Sequence, residues 1–155
     1  MLDEVYSKKV LALAGNIPRL GRLDDPDATA TAYSRLCGST VTVDIAMQDD
    51  RIVDFAHDVK ACALGQASSS LMASHIVGIT KAELRDLRAK MYAMLKENGP
   101  PPDGKWAEFA CLEPIRNIKS RHASTLLTFD AVDQAISNIE NGVPLENHQD
   151  MPTRA

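Results

Sequence analysis

A chain of 155 residues, 45% of them hydrophobic, is long enough to build one core without disulfide or metal staples, so a single globular domain is expected. Its 17 basic side chains against 21 acidic ones leave a formal charge of −4, and Lys and Arg form no stripe that would follow a phosphate backbone, which argues against a nucleic-acid partner. No apolar run reaches the roughly 18–20 residues of a membrane span, the N-terminal stretch lacks the layout of a signal peptide, and an odd set of three cysteines reads as reduced thiols; no membrane association and a cytoplasmic protein are expected.

Along the chain, Val5, Val10, Leu11 and Leu13 recur among charges and predict a surface helix over Leu2–Ala14, stopped by Gly15-Asn16. Asn16–Tyr33 carries two prolines, a glycine and clustered acids with no sustained period, and reads as an extended, loop-rich segment. From Thr40 the alternation is strict, with Val41, Val43, Ile45 and Met47 on one face and Thr40, Thr42, Asp44 and Ala46 on the other. After the turn at Gln48–Arg51, Val53, Phe55, His57 and Val59 alternate with Ile52, Asp54, Ala56 and Asp58, completing a hairpin whose apolar face needs a helical cover.

Small residues after Cys62, including Ala63, Gly65, Ala67 and Ser68–Ser70, predict a helix lying close to the sheet, with Ala67, Leu71 and His75 on one face, before Gly78 ends the run. Thr80 and Glu83 form a capping box, and Leu84, Leu87, Met91, Met94 and Leu95 continue at helical spacing until the Gly- and Pro-rich break at 98–104. A short helix over Trp106–Leu112 is expected to end at Pro114. A last helix carries Phe129, Val132, Ile136 and Ile139 on one face and stops at Asn141-Gly142. Residues 1–142 thus read as a single α+β domain, and 143–155 as a polar, frayed tail.

Cys62 falls at a strand-to-helix junction, where unpaired N–H groups and the positive end of the helix dipole favour an anionic sulfur; the plain alternative is a small residue filling a tight corner. Cys37 precedes Gly38 and the first clear strand, so its side chain can sit at the same end of the sheet. Cys111 lies in a helical pattern and reads as a packing residue. His57 and His75 fall on packed faces, His148 lies in the tail, and His122, just before the last helix, is the histidine kept as a candidate ligand. Without a C-x-x-C clip, spacing alone does not make a metal site. A thiol enzyme with Cys62 as nucleophile and His122 or His57 as base would need an orienting acid or an oxyanion site, and the sequence places neither beside them.

The order of these pieces resembles the IscU/NifU N-terminal family of iron–sulfur cluster assembly scaffolds, nearest in spacing to its SufU-like branch. Pro18-Arg19 and Gly21 match the family's N-terminal Pro-Arg and Gly, Cys37-Gly38 its Cys-Gly-Asp with Ser39 at the Asp position, and Cys62 with Ala67-Ser68-Ser69-Ser70 its second motif with Ala61 for Gly. Arg121, Leu127, Phe129 and Ala131 fall in register with the third motif, which puts Ser124 at the position of the third ligand cysteine. The resemblance implies an antiparallel sheet of about three strands covered by helices, with a mostly helical C-terminal half. It implies a non-enzymatic scaffold that holds a transient [2Fe–2S] cluster or Zn²⁺, with a cysteine desulfurase and other assembly proteins as partners and a homodimer as one possible state. On that alignment the site is Cys37 and Cys62, with Ser39, Ser124 and the displaced His122 at or near the remaining ligand positions. A Ser hydroxyl stays protonated near neutral pH and is a poor substitute for a soft thiolate, so the remaining donors would come from His122, Cys111, a partner or a second subunit. The implied alternative is a degenerate member that acts as an interaction or regulatory module without a cluster. Leu112–Arg116 resembles the chaperone-binding segment of IscU-type scaffolds, with Glu113 replacing its first proline.

Overall fold

Val41, Val43 and Ile45 turn one face of a strand, β2 (Thr40–Gln48), into the core, and all three are fully buried. The computed structural model describes residues 6–145 and, as backbone only, 150–152, so Leu2, Val5 and His148 lie outside the described residues. A first helix, α1 (Lys8–Gly15), opens where Ser7 Oγ accepts a hydrogen bond from the Val10 N–H. The hairpin expected after it forms as β2 and β3 (Arg51–Lys60), closed by a turn in which Asp49 takes a left-handed φ of 57°. A strand β1 (Ala28–Tyr33) pairs antiparallel with β2, from Ala28 opposite Ile45 to Tyr33 opposite Thr40. This corrects the loop reading of Asn16–Tyr33 at its end. Ala28, Ala30 and Ala32 are buried while the intervening threonines are half-buried, an alternation written in a weak strand former and fixed by its neighbours in the sheet.

The sheet order is β3-β2-β1-β4, where β4 (Asp150–Pro152) runs parallel to β1 beside Thr31–Tyr33, so part of the expected tail is paired backbone. Between Ala46 and Met47 the register shifts: Asp54 pairs with Ala46 but Ile52 with Met47, and Val53 is skipped. That bulge reverses the expected faces beyond Asp54, burying Ile52 and leaving Val53 46% exposed. Asp44, read as lying on the polar face, is 1% exposed, because the segment before β1 folds over that face. Its carboxylate accepts from Arg22 Nε at 2.7 Å and the other arm of that guanidinium at 3.0 Å, from the Leu23 N–H at 3.0 Å and from Thr29 Oγ1 at 2.6 Å. Burial pushes this carboxyl up, and these bonds outweigh it and hold it below its ordinary value.

Pro18–Gly21 docks on the free edge of β3. The Arg19 carbonyl accepts from the His57 N–H at 3.2 Å, the Gly21 N–H donates to the His57 carbonyl at 2.8 Å, and His57 Nε2 donates to the Pro18 carbonyl at 2.8 Å. Arg19 reaches this position with a left-handed φ of 59°.

Helices cover the opposite side. α2 (Ala63–His75) and α3 (Lys81–Lys96) follow β3, and α4 (His122–Glu140) lies over β1 and β2. Thr80 Oγ1 accepts from the Glu83 N–H at 3.1 Å, which is half of the predicted capping box. The helix expected over Trp106–Leu112 is instead a 3-10 segment, Gly104–Asn117, that runs through Pro114. Trp106, Phe109, Leu112 and Ile115 are buried at a spacing of three, the period at which side chains of a 3-10 helix stack on one face. No helix among the described residues is long and apolar enough to cross a membrane.

Candidate functional site

Strand register brings the two candidate thiols to one end of the sheet. Thr40, the first residue of β2, pairs with Lys60, the last of β3, so Cys37 enters and Cys62 leaves the same end of one antiparallel ladder. Cys37 is exposed on the β1–β2 loop, which is closed by bonds from the Ser34 N–H to the Ser39 carbonyl and from the Gly38 N–H to the Ser34 carbonyl, both 2.9 Å. Gly38 holds a φ of +72° there, a conformation that favours glycine, and this accounts for a glycine directly after the cysteine. Beside it Leu36 is 80% exposed.

Cys62 is the N-cap residue of α2, yet its side chain makes no capping bond. Its thiol is directed at the first turn of α4, donating to Ser124 Oγ at 3.5 Å; Ser124 Oγ in turn donates to the Arg121 carbonyl at 3.2 Å. The close approach of the two helices depends on Gly65, where an added Cβ would lie 2.9 Å from the Ser124 carbonyl oxygen and 2.8 Å from Ala61 Cβ. One turn on, Ser68 Oγ donates to the Thr125 carbonyl at 2.8 Å and ties the same helices again. The sequence marked Gly65 as a small residue in a small-residue run; the contact with Ser124 becomes visible only once α2 and α4 are packed.

The Cys37 thiol donates to the buried Ser39 hydroxyl at 3.1 Å. Burial pushes this thiol up, and against it act the hydroxyls of Ser34 and Ser39, the Ser39 backbone and the positive charge of Arg121, so that on balance the thiol lies below its ordinary value. Arg121 therefore senses Cys37 while Ser124, three residues along the same turn, contacts Cys62. Of the two sulfurs, Cys62 is the one in contact with the start of α4, and Cys37 lies within the field of its Arg121 cap.

The other expected positions divide. Ser39 and Ser124 lie in this corner, each bonded to one of the thiols. His122 is buried on the far side of the same turn, its Nε2 donating to the carbonyls of Ile115 at 3.0 Å and Arg116 at 3.2 Å, and it borders a separate cleft of about 460 Å³ with Lys96, Asn98, Arg116 and Lys119. Cys111 packs against the core, within the field of Lys9 and Glu108. Burial pushes its thiol up. His75 meets the Trp106 ring edge-on at 5.8 Å, and His57 is enclosed beside Phe55. Among the described residues no three His, Cys, Asp or Glu side chains gather as a metal-binding group. The corner thus offers two thiols, two hydroxyls committed to hydrogen bonds, and one nearby guanidinium. This set fits half of a four-thiolate site and does not by itself fit a whole one.

Residues 5–106 match the family described as the NifU-like N terminal domain. The chain is 26% identical over 136 residues to the iron–sulfur cluster assembly scaffold protein IscU of Thermotoga maritima, covering 87% of this chain and 94% of that one. The protein of the same description from Streptococcus pyogenes serotype M1 is 25% identical over 121 residues, 78% of this chain and 76% of the relative. Among solved structures, a nitrogen-fixing NifU-like protein (N-terminal) from Brucella abortus superposes with a TM-score of 0.89 at 58% identity, covering 90% of this chain and 97% of that one. A putative scaffold protein for the SUF system from Fervidobacterium islandicum AW-1 shares the fold, with a TM-score of 0.79 at 21% identity over 86% of this chain and 98% of its own. A family match across most of the chain, together with a closely superposing relative and the motif cysteines at one end of the sheet, assigns this protein to the NifU-like N-terminal domain family.

Proposed function

We propose that this protein is a non-enzymatic scaffold of cytoplasmic iron–sulfur cluster assembly, and that Cys37 and Cys62 are its working thiols. The observation that carries the reading is that strand register brings both thiols to one end of the β2–β3 ladder, where Cys62 contacts Ser124 on the first turn of α4. The relatives are described as assembly scaffolds, and the three free thiols suit a reducing compartment.

Cys37 is the sulfur acceptor in this reading. Exposure gives a partner access, and the thiol's lowered proton affinity enlarges the thiolate fraction at neutral pH. Its thiolate attacks the outer sulfur of a persulfide carried by a cysteine desulfurase. A bond forms between Cys37 Sγ and that outer sulfur, the partner's own S–S bond breaks, and the partner leaves as a thiolate that takes up a proton; there is no net oxidation. Iron, cluster or Zn²⁺ is cargo here, and the two thiols supply part of its ligand set.

Incubating the reduced protein with a desulfurase and free cysteine, then alkylating and weighing the intact chain and its peptides, tests this. One added sulfur on Cys37, lost in Cys37→Ser, is expected; turnover of the desulfurase with no sulfur on any cysteine overturns the reading. The serine at position 124 favours a second reading, an interaction module that keeps the docking surface and never binds cargo. Metal analysis after anaerobic purification separates them, since that module would carry neither iron nor zinc yet still bind a desulfurase.

A further inference from the structure

We propose that the cleft bordered by His122 is an anion site, and that it takes the phosphate chain of a small molecule carrying two or more linked phosphoryl groups. It is separate from the thiol corner and does not depend on how that corner is read. The cleft, of about 460 Å³, is lined by Leu95, Lys96, Asn98, Arg116, Lys119 and His122, so three cations and no carboxylate form its walls. Its volume falls in the range of small-molecule sites, about 300–1,000 Å³, and exceeds what a lone phosphate fills. A chain with a formal charge of −4 gathers these cations from three separate stretches: the end of α3, the 3-10 segment Gly104–Asn117 and the turn Lys119–Arg121 before α4.

These cations are under-used within the chain. Lys81, Lys90 and Lys105 each hold a carboxylate within 3.5 Å, whereas among the described residues neither Lys96 nor Lys119 takes part in an ion pair. Lys96 also answers the dipole at the end of α3, but that role asks for no second cation across the cleft, and Lys119 supplies one. Arg116 spends one terminal nitrogen twice, on the Gly99 carbonyl at 2.8 Å and on Glu113 at 3.1 Å, while its buried Nε has no hydrogen-bond partner. Turning the guanidinium into the cleft would give Nε and a terminal nitrogen one shared acceptor group, the two-pronged geometry in which arginine holds a phosphoryl group. His122 builds the wall rather than adding charge: its Nε2 is held by the Ile115 and Arg116 carbonyls, and burial together with the charges of Lys96 and Lys119 lowers its proton affinity. A single phosphoryl group carries about −1.5 to −2 at neutral pH and leaves part of three positive charges unmet, whereas two linked groups match them. Leu95, 2% exposed, is the one apolar side chain in the lining, so the phosphates rather than a base or an acyl tail carry the recognition.

The probe is inorganic pyrophosphate, titrated calorimetrically into the full chain in metal-free buffer at low ionic strength. One pyrophosphate per chain is expected, held about tenfold tighter than orthophosphate or citrate and weakened by added salt. Amide NMR shifts on binding should cluster at residues 95–99 and 116–122. Lys96→Gln combined with Lys119→Gln should lose about tenfold or more in affinity at an unchanged urea midpoint, whereas Lys8→Gln combined with Lys60→Gln, which removes the same charge from exposed positions elsewhere, should lose less than about twofold. Arg116→Lys keeps the charge but not the fork, and should narrow the preference for pyrophosphate over citrate. Absence of saturable binding, equal losses in the two double variants, citrate held as tightly as pyrophosphate by the natural sequence, or shifts centred on Cys37 and Cys62 would each overturn the proposal.

Discussion

Gly65→Ala sets two effects of known sign against each other at the contact between α2 and α4. Inside a helix, alanine is favoured over glycine by about 0.8–1 kcal/mol, so propensity alone predicts a more stable protein. The added methyl, however, meets Ala61 Cβ at 2.8 Å and the Ser124 carbonyl oxygen at 2.9 Å, and neither a methyl fixed to backbone nor a peptide oxygen can swing aside as a long side chain would. Overpacking of this kind costs about 1–3 kcal/mol, and with two such contacts the upper half of that range applies, leaving a net loss of about 1–2 kcal/mol. For a chain of this size each kcal/mol lowers the melting temperature by about 2–4 °C. Urea denaturation reads the loss directly. Relief of the clash moves the first turn of α4 away from α2, so Cys62 should also alkylate faster. Gly15→Ala is the control, because an added Cβ there meets nothing within 4 Å. Equal or greater stability of Gly65→Ala with unchanged Cys62 reactivity would refute the argument that Gly65 sets the spacing of the corner.

Iodoacetamide at neutral pH should modify exposed Cys37 before Cys111, and Arg121→Met should slow the Cys37 reaction and move its rate–pH profile to higher pH, since removing the cation restores proton affinity; an unchanged profile would remove Arg121 from the account. Asp44→Asn should cost about 1–3 kcal/mol at neutral pH, where the carboxylate bonds to Arg22, Thr29 and Leu23 are all made. Because the folded carboxyl sits below its ordinary 3.8, its contribution is fully present above that value and is lost as pH falls through the lower folded value, so the variant should show a flatter acid limb in urea midpoints. His57 and His122 are both held below their ordinary 6.5, chiefly by burial; the stability they lend is present above 6.5 and declines as pH falls towards their folded values, and a His57→Gln, His122→Gln chain should lose that decline.

The sequence was most legible where period and chemistry agree. Thr80 with Glu83, and the apolar positions of α3 and α4, state both the helices and their faces, and the alternation at Thr40–Met47 states a strand. It was least legible where packing chooses between weak options. β1 is an Ala–Thr repeat whose strand character comes from β2 alongside it, and the skipped Val53 cannot be seen until the hairpin register is fixed. The apolar spacing of Trp106, Phe109, Leu112 and Ile115 was present throughout, but it is a period of three and escapes a search for 3.6. At the site, Cys37 and Cys62 could be singled out from their flanking glycine and small residues. That His122 is turned away towards the Ile115 and Arg116 carbonyls depends on how the 3-10 segment approaches α4, and nothing local encodes it.

The docking of Pro18–Gly21 along β3 bears on how this protein meets others. An outer strand with free N–H and C=O groups is a template on which a foreign strand can grow, and here the amide and carbonyl of His57 are already taken, with Arg19 held in a left-handed turn that bends the segment off the ladder. Sheet extension is thereby blocked at this margin. Recognition is left to loops and side chains, and the loop that carries Leu36 and Cys37 is the one that projects them.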